Sequence, residues 1–316
     1  MNFLKFYKKW GIYVLLLVEI IVFTLIAPGF MTWTNMMNVI RQVSMLGIVV
    51  TGVSIIMIGG GIDLSIGGQM ATSGLIIAML VINQGMNPFL ASIIGIAVCV
   101  LMGAINGFLI VKLKIMDMVV TLGTMTILQG VAYLLTGGFA IFGMPANFKF
   151  IGQGYLGAVP VPVIIFLVIV LICSVVMDKT YFGRHIYALG GNKETARLAG
   201  INISKLKILT YAIAGFLTGI ASVIMLARTN SAQPAAGSTY AFDCMTASVL
   251  GGISFAGGEG KIIGGVIGVI FIGILGNALV IMGISEYWQN VIKGIILILA
   301  VAMDNLQQKA KRAKAA

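Results

Sequence analysis

Few residues in this chain could do chemistry. There is one histidine, His185, in a basic stretch. A lone histidine cannot build a histidine-rich metal site, and no H-E-x-x-H pattern occurs. Cys99, Cys173 and Cys244 stand in apolar runs without metal or redox spacing, and read as packing residues. No G-x-x-x-x-G-K-[ST] phosphate loop is present. The nearest glycine run with a lysine, Gly257-Gly258-Glu259-Gly260-Lys261-Ile262, lacks both the spacing and the hydroxyl. No G-x-S-x-G nucleophile elbow occurs either. The expectation is a chain with no catalytic residue, no metal and no cofactor, which does not itself hydrolyse ATP.

The ionisable residues inside apolar stretches are Glu19, Asp63, Asp243, Glu286 and Lys293. An ion-coupled carrier needs such groups to hold its ion. Only Glu19, in mid-span, and Asp63, in a glycine break, are plausible for that role. Asp63 and Ser65 can instead cap the span that follows them. Lys293 reads as paired or snorkelling. The neutral polar residues Asn106, Gln129, Asn277 and Gln289 must face protein or a cavity in hydrocarbon. They could donate to sugar hydroxyls or bond one helix to another.

The elements that hold these residues are dictated by composition. Of 316 residues, 59% are hydrophobic and only 9% are charged. Mean hydropathy is +1.08. A soluble fold could not hide that much apolar surface. The apolar runs do not alternate with polar residues, so they read as helices rather than barrel strands. Ten candidate spans follow: 11–28, 44–58, 66–83, 89–111, 117–138, 159–178, 206–228, 240–256, 262–282 and 286–304. The first is read as a retained span rather than a cleaved signal, because no small-residue cleavage site follows it.

Net charge is +11. The basic residues mark topology, not nucleic-acid binding. Lys5, Lys8 and Lys9 precede the first span. Lys112 and Lys114 follow the fourth. Lys179, Arg184, Lys193, Arg197, Lys205 and Lys207 follow the sixth. Lys309, Lys311, Arg312 and Lys314 follow the tenth. All four clusters fall on one side of an even-numbered threading, which places both termini in the cytoplasm. The loops around 145–158 and 229–239, on the other side, hold only Lys149 and the boundary Arg228.

Two glycine-rich stretches interrupt the spans. One runs from Gly59 to Gly68 and includes Gly60, Gly61, Asp63 and Ser65. The other runs from Gly251 to Gly260 and includes Gly252 and Ser254. Irregular backbone at membrane depth requires cover from protein or water. Paired interruptions in two halves point to a central pathway. Both could equally be ordinary loops at the membrane surface. The loop at about 179–205 holds a short capped helix, with Asn192 as N-cap, Glu194 in the first turn and Gly200 ending it. Such a helix suits docking on a soluble partner.

The run Gly183-Arg184-His185-Ile186-Tyr187-Ala188-Leu189-Gly190-Gly191-Asn192, with Ala196-Arg197-Leu198-Ala199-Gly200-Ile201, resembles the cytoplasmic loop of ribose-type sugar ABC transporter permeases. Gly60-Gly61-Ile62-Asp63-Leu64-Ser65-Ile66-Gly67 resembles a second hallmark. Ser248-Val249-Leu250-Gly251-Gly252-Ile253-Ser254 with Gly257, Gly258 and Gly264 resembles a third. Gly283-Ile284-Ser285 with Trp288-Gln289 and Lys293-Gly294 to Asp304 resembles a fourth. The resemblance covers nearly the whole chain. Glu259 departs from it, standing where family members often carry a basic or small residue.

This resemblance implies an all-α polytopic membrane protein, a single permease domain over 1–316, with about ten transmembrane helices. Its fold would be similar to the vitamin B12 importer permease class, with glycine-broken helices near the pathway. It implies the cytoplasmic (inner) membrane of a bacterium and contact with membrane lipid. The implied partners are a cytoplasmic ATP-binding cassette ATPase, an extracytoplasmic sugar-binding protein and a second permease subunit. The implied ATPase-coupling residues are Gly183, Arg184, Asn192, Glu194, Ala196, Arg197 and Gly200. The pathway candidates are Gly60, Gly61, Asp63, Ser65, Asn106, Gly252, Ser254 and Asn277. An ion-coupled secondary sugar transporter is the rival reading.

Overall fold

A computed structural model describes residues 3–315, with side chains described over 11–310. Lys5, Lys8, Lys9, Lys311, Arg312 and Lys314, which anchored the topology at the two ends, have side chains outside the described residues. The described chain is helical almost throughout. Its helices are α1 (Phe3–Ile26), α2 (Trp33–Ile58), α3 (Ile66–Ile82), α4 (Pro88–Leu113), α5 (Asp117–Thr136), α6 (Ala146–Gln153), α7 (Val161–Lys179), α8 (Tyr181–Gly191), α9 (Lys193–Leu198), α10 (Ile203–Thr229), α11 (Tyr240–Leu250), α12 (Ile262–Ile281) and α13 (Glu286–Ala315). Four two-residue strands are the only extended pairings among the described residues. β1 (Ile141–Phe142) pairs with β4 (Ser231–Ala232), and β2 (Tyr155–Leu156) with β3 (Val159–Pro160).

Seven helices are long and apolar enough to cross a membrane: α2, α4, α5, α7, α10, α12 and α13. The apolar Gly11–Ile26 part of α1, and α3, are shorter. Each of the ten expected spans has a helix at its position, but four differ in extent: α1 begins earlier, at Phe3, α13 runs on to Ala315, and two others change more tellingly. The expected 44–58 segment begins instead at Trp33, because Asn35 and Asn38 sit inside a helix whose inner half is buried. The expected 240–256 segment ends at Leu250, where Gly251 and Gly252 break it. At 1.5 Å per residue, α11 is only about 16 Å long, half of a hydrocarbon core of about 30 Å.

α2 runs through the centre. From Val43 to Ile58 every residue is buried. Around it stand α7, α10, α11 and α12. Such packing has no water-driven hydrophobic term in lipid, so close backbone approach must supply it. Small residues make that approach possible. On α4, Gly103 and Gly107 lie against the Tyr211 and Ile208 backbone of α10. On α10, Gly215 and Gly219 lie against the Cys99 and Ile96 backbone of α4. Two small-x-x-x-small faces therefore interlock. Gly264 and Gly268 of α12 play the same part against Gly251 and Ala247 at and beyond the end of α11. At the α2 end remote from the break, Asn35 and Asn277 exchange two amide hydrogen bonds of 2.8 and 2.9 Å, tying α2 to α12.

Candidate functional site

The two glycine breaks and the 179–205 loop converge on one spot. Ile58 ends α2, so its carbonyl has no partner within the helix. Gly258, two hundred residues later, donates its N–H to that carbonyl at 2.8 Å. Gly190, near the end of α8, packs on the same place. A Cβ there would overlap the Ile58 carbonyl and crowd the Gly258 nitrogen. A Cβ on Gly257 would come within 2.7 Å of Gly60 Cα and 3.1 Å of Gly190 Cα, and one on Gly258 within 2.8 Å of Gly191. Gly60, Gly257 and Gly258 all have positive φ, which favours glycine. Three segments far apart in sequence thus meet backbone to backbone. Tyr187 adds a staple, donating its hydroxyl to the Gly260 carbonyl at 2.8 Å. Burial, reinforced by the Asp178 carboxylate, pushes the Tyr187 phenol above its ordinary value, so it stays a donor.

Acidic side chains pin each break. In the first, Asp117 at the start of α5 accepts from Lys207 Nζ and from the Tyr211 hydroxyl at 2.8 Å. The Tyr211 hydroxyl also lies 2.9 Å from the Ile62 carbonyl. Lys207 and Tyr211 share one face of α10, four residues apart. In the second, Asp304 of α13 accepts from Phe255 N–H at 2.9 Å and from the Ser254 hydroxyl at 3.1 Å. Gln308, one turn on, donates to the Ser254 Oγ at 2.9 Å. Each break is therefore fastened to a carboxylate on a different helix.

Beyond the first break the chain climbs into the bundle. Asp63 Oδ1 accepts from both Ser65 N–H and Ser65 hydroxyl, at 2.8 and 2.6 Å. These bonds turn the chain into α3 but reach only the N-cap residue itself, so the expected capping by Asp63 and Ser65 side chains is not made. The Ser65 oxygen, which would have to accept a capping bond, instead accepts from two side-chain amides. Gln69 and Asn106 both donate to Ser65 Oγ, and Thr124 donates to Asn106 Oδ1. The result is a buried polar chain joining α3, α4 and α5. It leaves two oxygens, Asp63 Oδ2 and Gln69 Oε1, without a partner among the described residues.

α3 and α11 both begin inside the bundle. Gly68 packs on Leu128 and Met125, in the middle of α5, and Gly67 packs on the Gly237 carbonyl, just before α11. So the Gln233–Thr239 segment dips from β4 to the depth of the α3 start. A recess of about 80 Å³ lies there, lined by Gly67, Gly68, Met125, Gln129, Ser238 and Phe242 among others.

The 179–205 loop, expected to dock a partner, forms α8 and α9. Gly183 is buried against the Met177 backbone of α7, and Ala196 is buried too. Arg184, Asn192, Glu194, Arg197 and Gly200 are exposed. Asn192 caps α9 by accepting from Thr195 N–H at 3.0 Å, as its position implied. Glu194 and Arg197 pair at 3.1 Å on the surface. Leu198 is 83% exposed and Tyr181 75%, although neither sits on an apolar span.

The residues expected along a pathway are split by this arrangement. Gly60 is at the backbone junction, and Gly61 faces Asp117 and Tyr211. Asp63, Ser65 and Asn106 form the buried polar chain, and Ser254 is held by α13. Gly252 is exposed with open space where a Cβ would stand. Asn277 is committed to Asn35. Lys293 pairs with Asp243 at 2.9 Å. Glu19 is buried with both oxygens unpartnered among the described residues. Not foreseen from sequence were the acidic latches Asp117 and Asp304, the wedge Gly190, and the recess residues Ser238 and Phe242. The Gly103/Gly107 and Gly215/Gly219 spacings were the one visible signal for the α4–α10 seam.

The comparisons agree with this architecture. The family described as "Branched-chain amino acid transport system / permease component" matches residues 35–301. A ribose import permease protein of Bacillus subtilis is 39% identical over 299 residues, which is 94% of this chain and 92% of that one. The L-arabinose transport system permease protein of Escherichia coli K12 is 35% identical over 311 residues, 98% of this chain and 94% of that one. The D-allose transport system permease protein of the same strain is also 35% identical, over 98% and 95%. No solved structure matches the chain. With the family match spanning most of its length and its helices built to cross a bilayer, the chain belongs to this family of transport permeases and is a ribose-type, multi-pass membrane member of it.

Proposed function

We propose that the chain forms the translocation pathway of an ATP-binding cassette importer for a monosaccharide. A separate cytoplasmic ATPase drives it, an extracytoplasmic binding protein delivers the sugar, and a second permease subunit completes the channel. Relatives named for ribose, L-arabinose and D-allose support the substrate class. An ion-coupled carrier is not favoured by this family. The charge bias of the basic loops supports a cytoplasmic location for both termini and α8–α9. Ten crossings, with α1, α3 and α11 as the shorter members, and a fold like the vitamin B12 importer permeases fit that threading.

One observation carries the mechanism: Gly190 of the cytoplasmic loop is wedged between the end of α2 and Gly258. The ATPase grips the exposed face of α8 and α9, where Leu198 and Tyr181 supply apolar contact and Arg184, Glu194 and Arg197 supply charge. ATP-driven closure moves α8. Through Gly190 and Tyr187, that motion reaches both glycine breaks together. The breaks yield because glycine backbone is the least restrained. α3, which starts beyond the first break, and α11 and α12, which flank the second, then tilt. A ligand shifts such an equilibrium only by binding the two states unequally, so the sugar-loaded binding protein must prefer one of them.

The test is reconstitution of the permease with its ATPase and binding protein in proteoliposomes. Sugar uptake should require all three and ATP. Leu198→Asp should abolish co-purification of the ATPase while membrane insertion stays normal. Uptake by the permease alone, driven by an ion gradient, would sink the proposal.

A further inference from the structure

Gln129 sits in the middle of α5, a helix apolar enough to cross a membrane, yet its side chain is exposed on the protomer and makes no hydrogen bond among the described residues. Hydrocarbon is no place for an unbonded amide; it must meet water, protein or a polar ligand. It borders the recess at the starts of α3 and α11. Phe242, also exposed, offers an aromatic face there, and Ser238 offers a hydroxyl. Gly67 and Gly68 have no side chains to fill the space, so the α3 backbone itself forms part of the wall. Neither helix start is closed by its own cap side chain, Ser65 or Thr239. The first N–H groups of a helix lack partners within it, although at α11 the Tyr240 N–H already donates to the Gly237 carbonyl.

An aromatic face with an amide and a hydroxyl beside two helix starts, and no charged wall residue, matches a neutral polyhydroxylated ring. Its C–H face stacks on the ring while its hydroxyls both donate and accept. We propose that this recess is a sugar subsite within the permease, in which Gln129, Ser238 and Phe242 contact the passing monosaccharide and add selectivity of their own to that of the binding protein. The proposal rests on the importer reading above. Its small size fits one edge of a sugar rather than full enclosure, as suits a ligand that must leave quickly.

The test uses the complete complex of permease, ATPase and binding protein in proteoliposomes. Initial uptake is measured for the transported sugar and for its monodeoxy analogues, each in the wild type, Gln129→Leu, Ser238→Ala and Phe242→Leu. Working with the ratio of sugar to analogue cancels any loss of folded protein. The ratio for at least one hydroxyl position should fall about fivefold in Gln129→Leu or Ser238→Ala, with partial recovery in Gln129→Asn. The affinity of the isolated binding protein supplies the baseline ratio. Ratios that stay at wild-type values in all variants overturn the subsite while leaving the importer reading intact, and would assign the recess to a second permease copy or to lipid. If Gln129→Leu fails to accumulate, Ser238→Ala decides the matter alone. Absence of ATP-dependent uptake in the wild type would sink the importer reading and the subsite with it.

Discussion

At the residue scale, the junction of glycines makes a sharp contrast between neighbours. Gly190 leaves no room for a Cβ, whereas Gly191 meets nothing within 4 Å. Gly190→Ala must push α8 off the end of α2, and we expect at least a tenfold loss of uptake at normal membrane yield. Gly191→Ala should transport within twofold of wild type. Parallel uptake assays decide it, and equal behaviour of the two variants would remove the wedge from the mechanism. Glu19 poses a different question. Its carboxyl is buried without a partner among the described residues, and a group in that state costs about 1–3 kcal/mol. Glu19→Leu should raise the thermal midpoint in detergent or lipid. A lower midpoint, or lost uptake, would reveal a partner for the acid in the assembled complex.

At the element scale, the breaks behave as joints only if something holds them between strokes. Asp117 with Lys207 and Tyr211 holds the first, and Asp304 with Gln308 holds the second. The Asp117–Lys207 pair is mostly buried, so its bonds are worth about 2 kcal/mol rather than the small value of a surface pair. Asp117→Asn and Tyr211→Phe should each uncouple ATP hydrolysis from uptake. Together they should cost less than the sum of the two, since both loosen the same joint. A double-mutant cycle on the uptake-to-hydrolysis ratio measures this, and strict additivity would argue for two separate effects. Asp304→Asn should weaken the second joint without altering the first. The α4–α10 seam is different in kind. Its interlocked glycines leave no slack, so α4 and α10 should move as one body.

For the whole molecule, the expected threading can be checked directly. Glu194 and its neighbours are exposed on α9, and Phe139 is exposed in the turn after α5. In an otherwise cysteine-free background, Glu194→Cys should react with an impermeant thiol reagent only in inside-out vesicles. Phe139→Cys should react in intact cells. Reversal of either result would turn the docking face away from the ATPase. The outward face of α5 also presents Gly123, Thr126, Gln129 and Gly130, small or polar residues unsuited to lipid. A second permease copy covering that face would place the recess on a shared pathway. Thr126→Cys should then form a disulfide-linked dimer under mild oxidation, and a monomer band alone would place the partner elsewhere.

Much of this protein could be read from its sequence. Composition forced helices suited to a bilayer, and charge placement gave the threading to be tested. The motifs around 60–67, 183–201 and 248–258 marked the family, and Asn192 announced its cap. These are local properties, set by the transfer of side chains and by backbone chemistry within a few residues. What only the tertiary structure decided is who meets whom. Ile58, Gly190 and Gly258 converge because three helix ends share a point in space, and no spacing in the chain records that. Asp117 and Asp304 look like ordinary helix residues until Tyr211, Lys207, Ser254 and Phe255 are brought to them. The polar Asn106 and Asn277 could each have faced a channel or a neighbour. Bundle packing gave both a neighbour, because a buried amide in hydrocarbon is stable only where another polar group closes its hydrogen bonds.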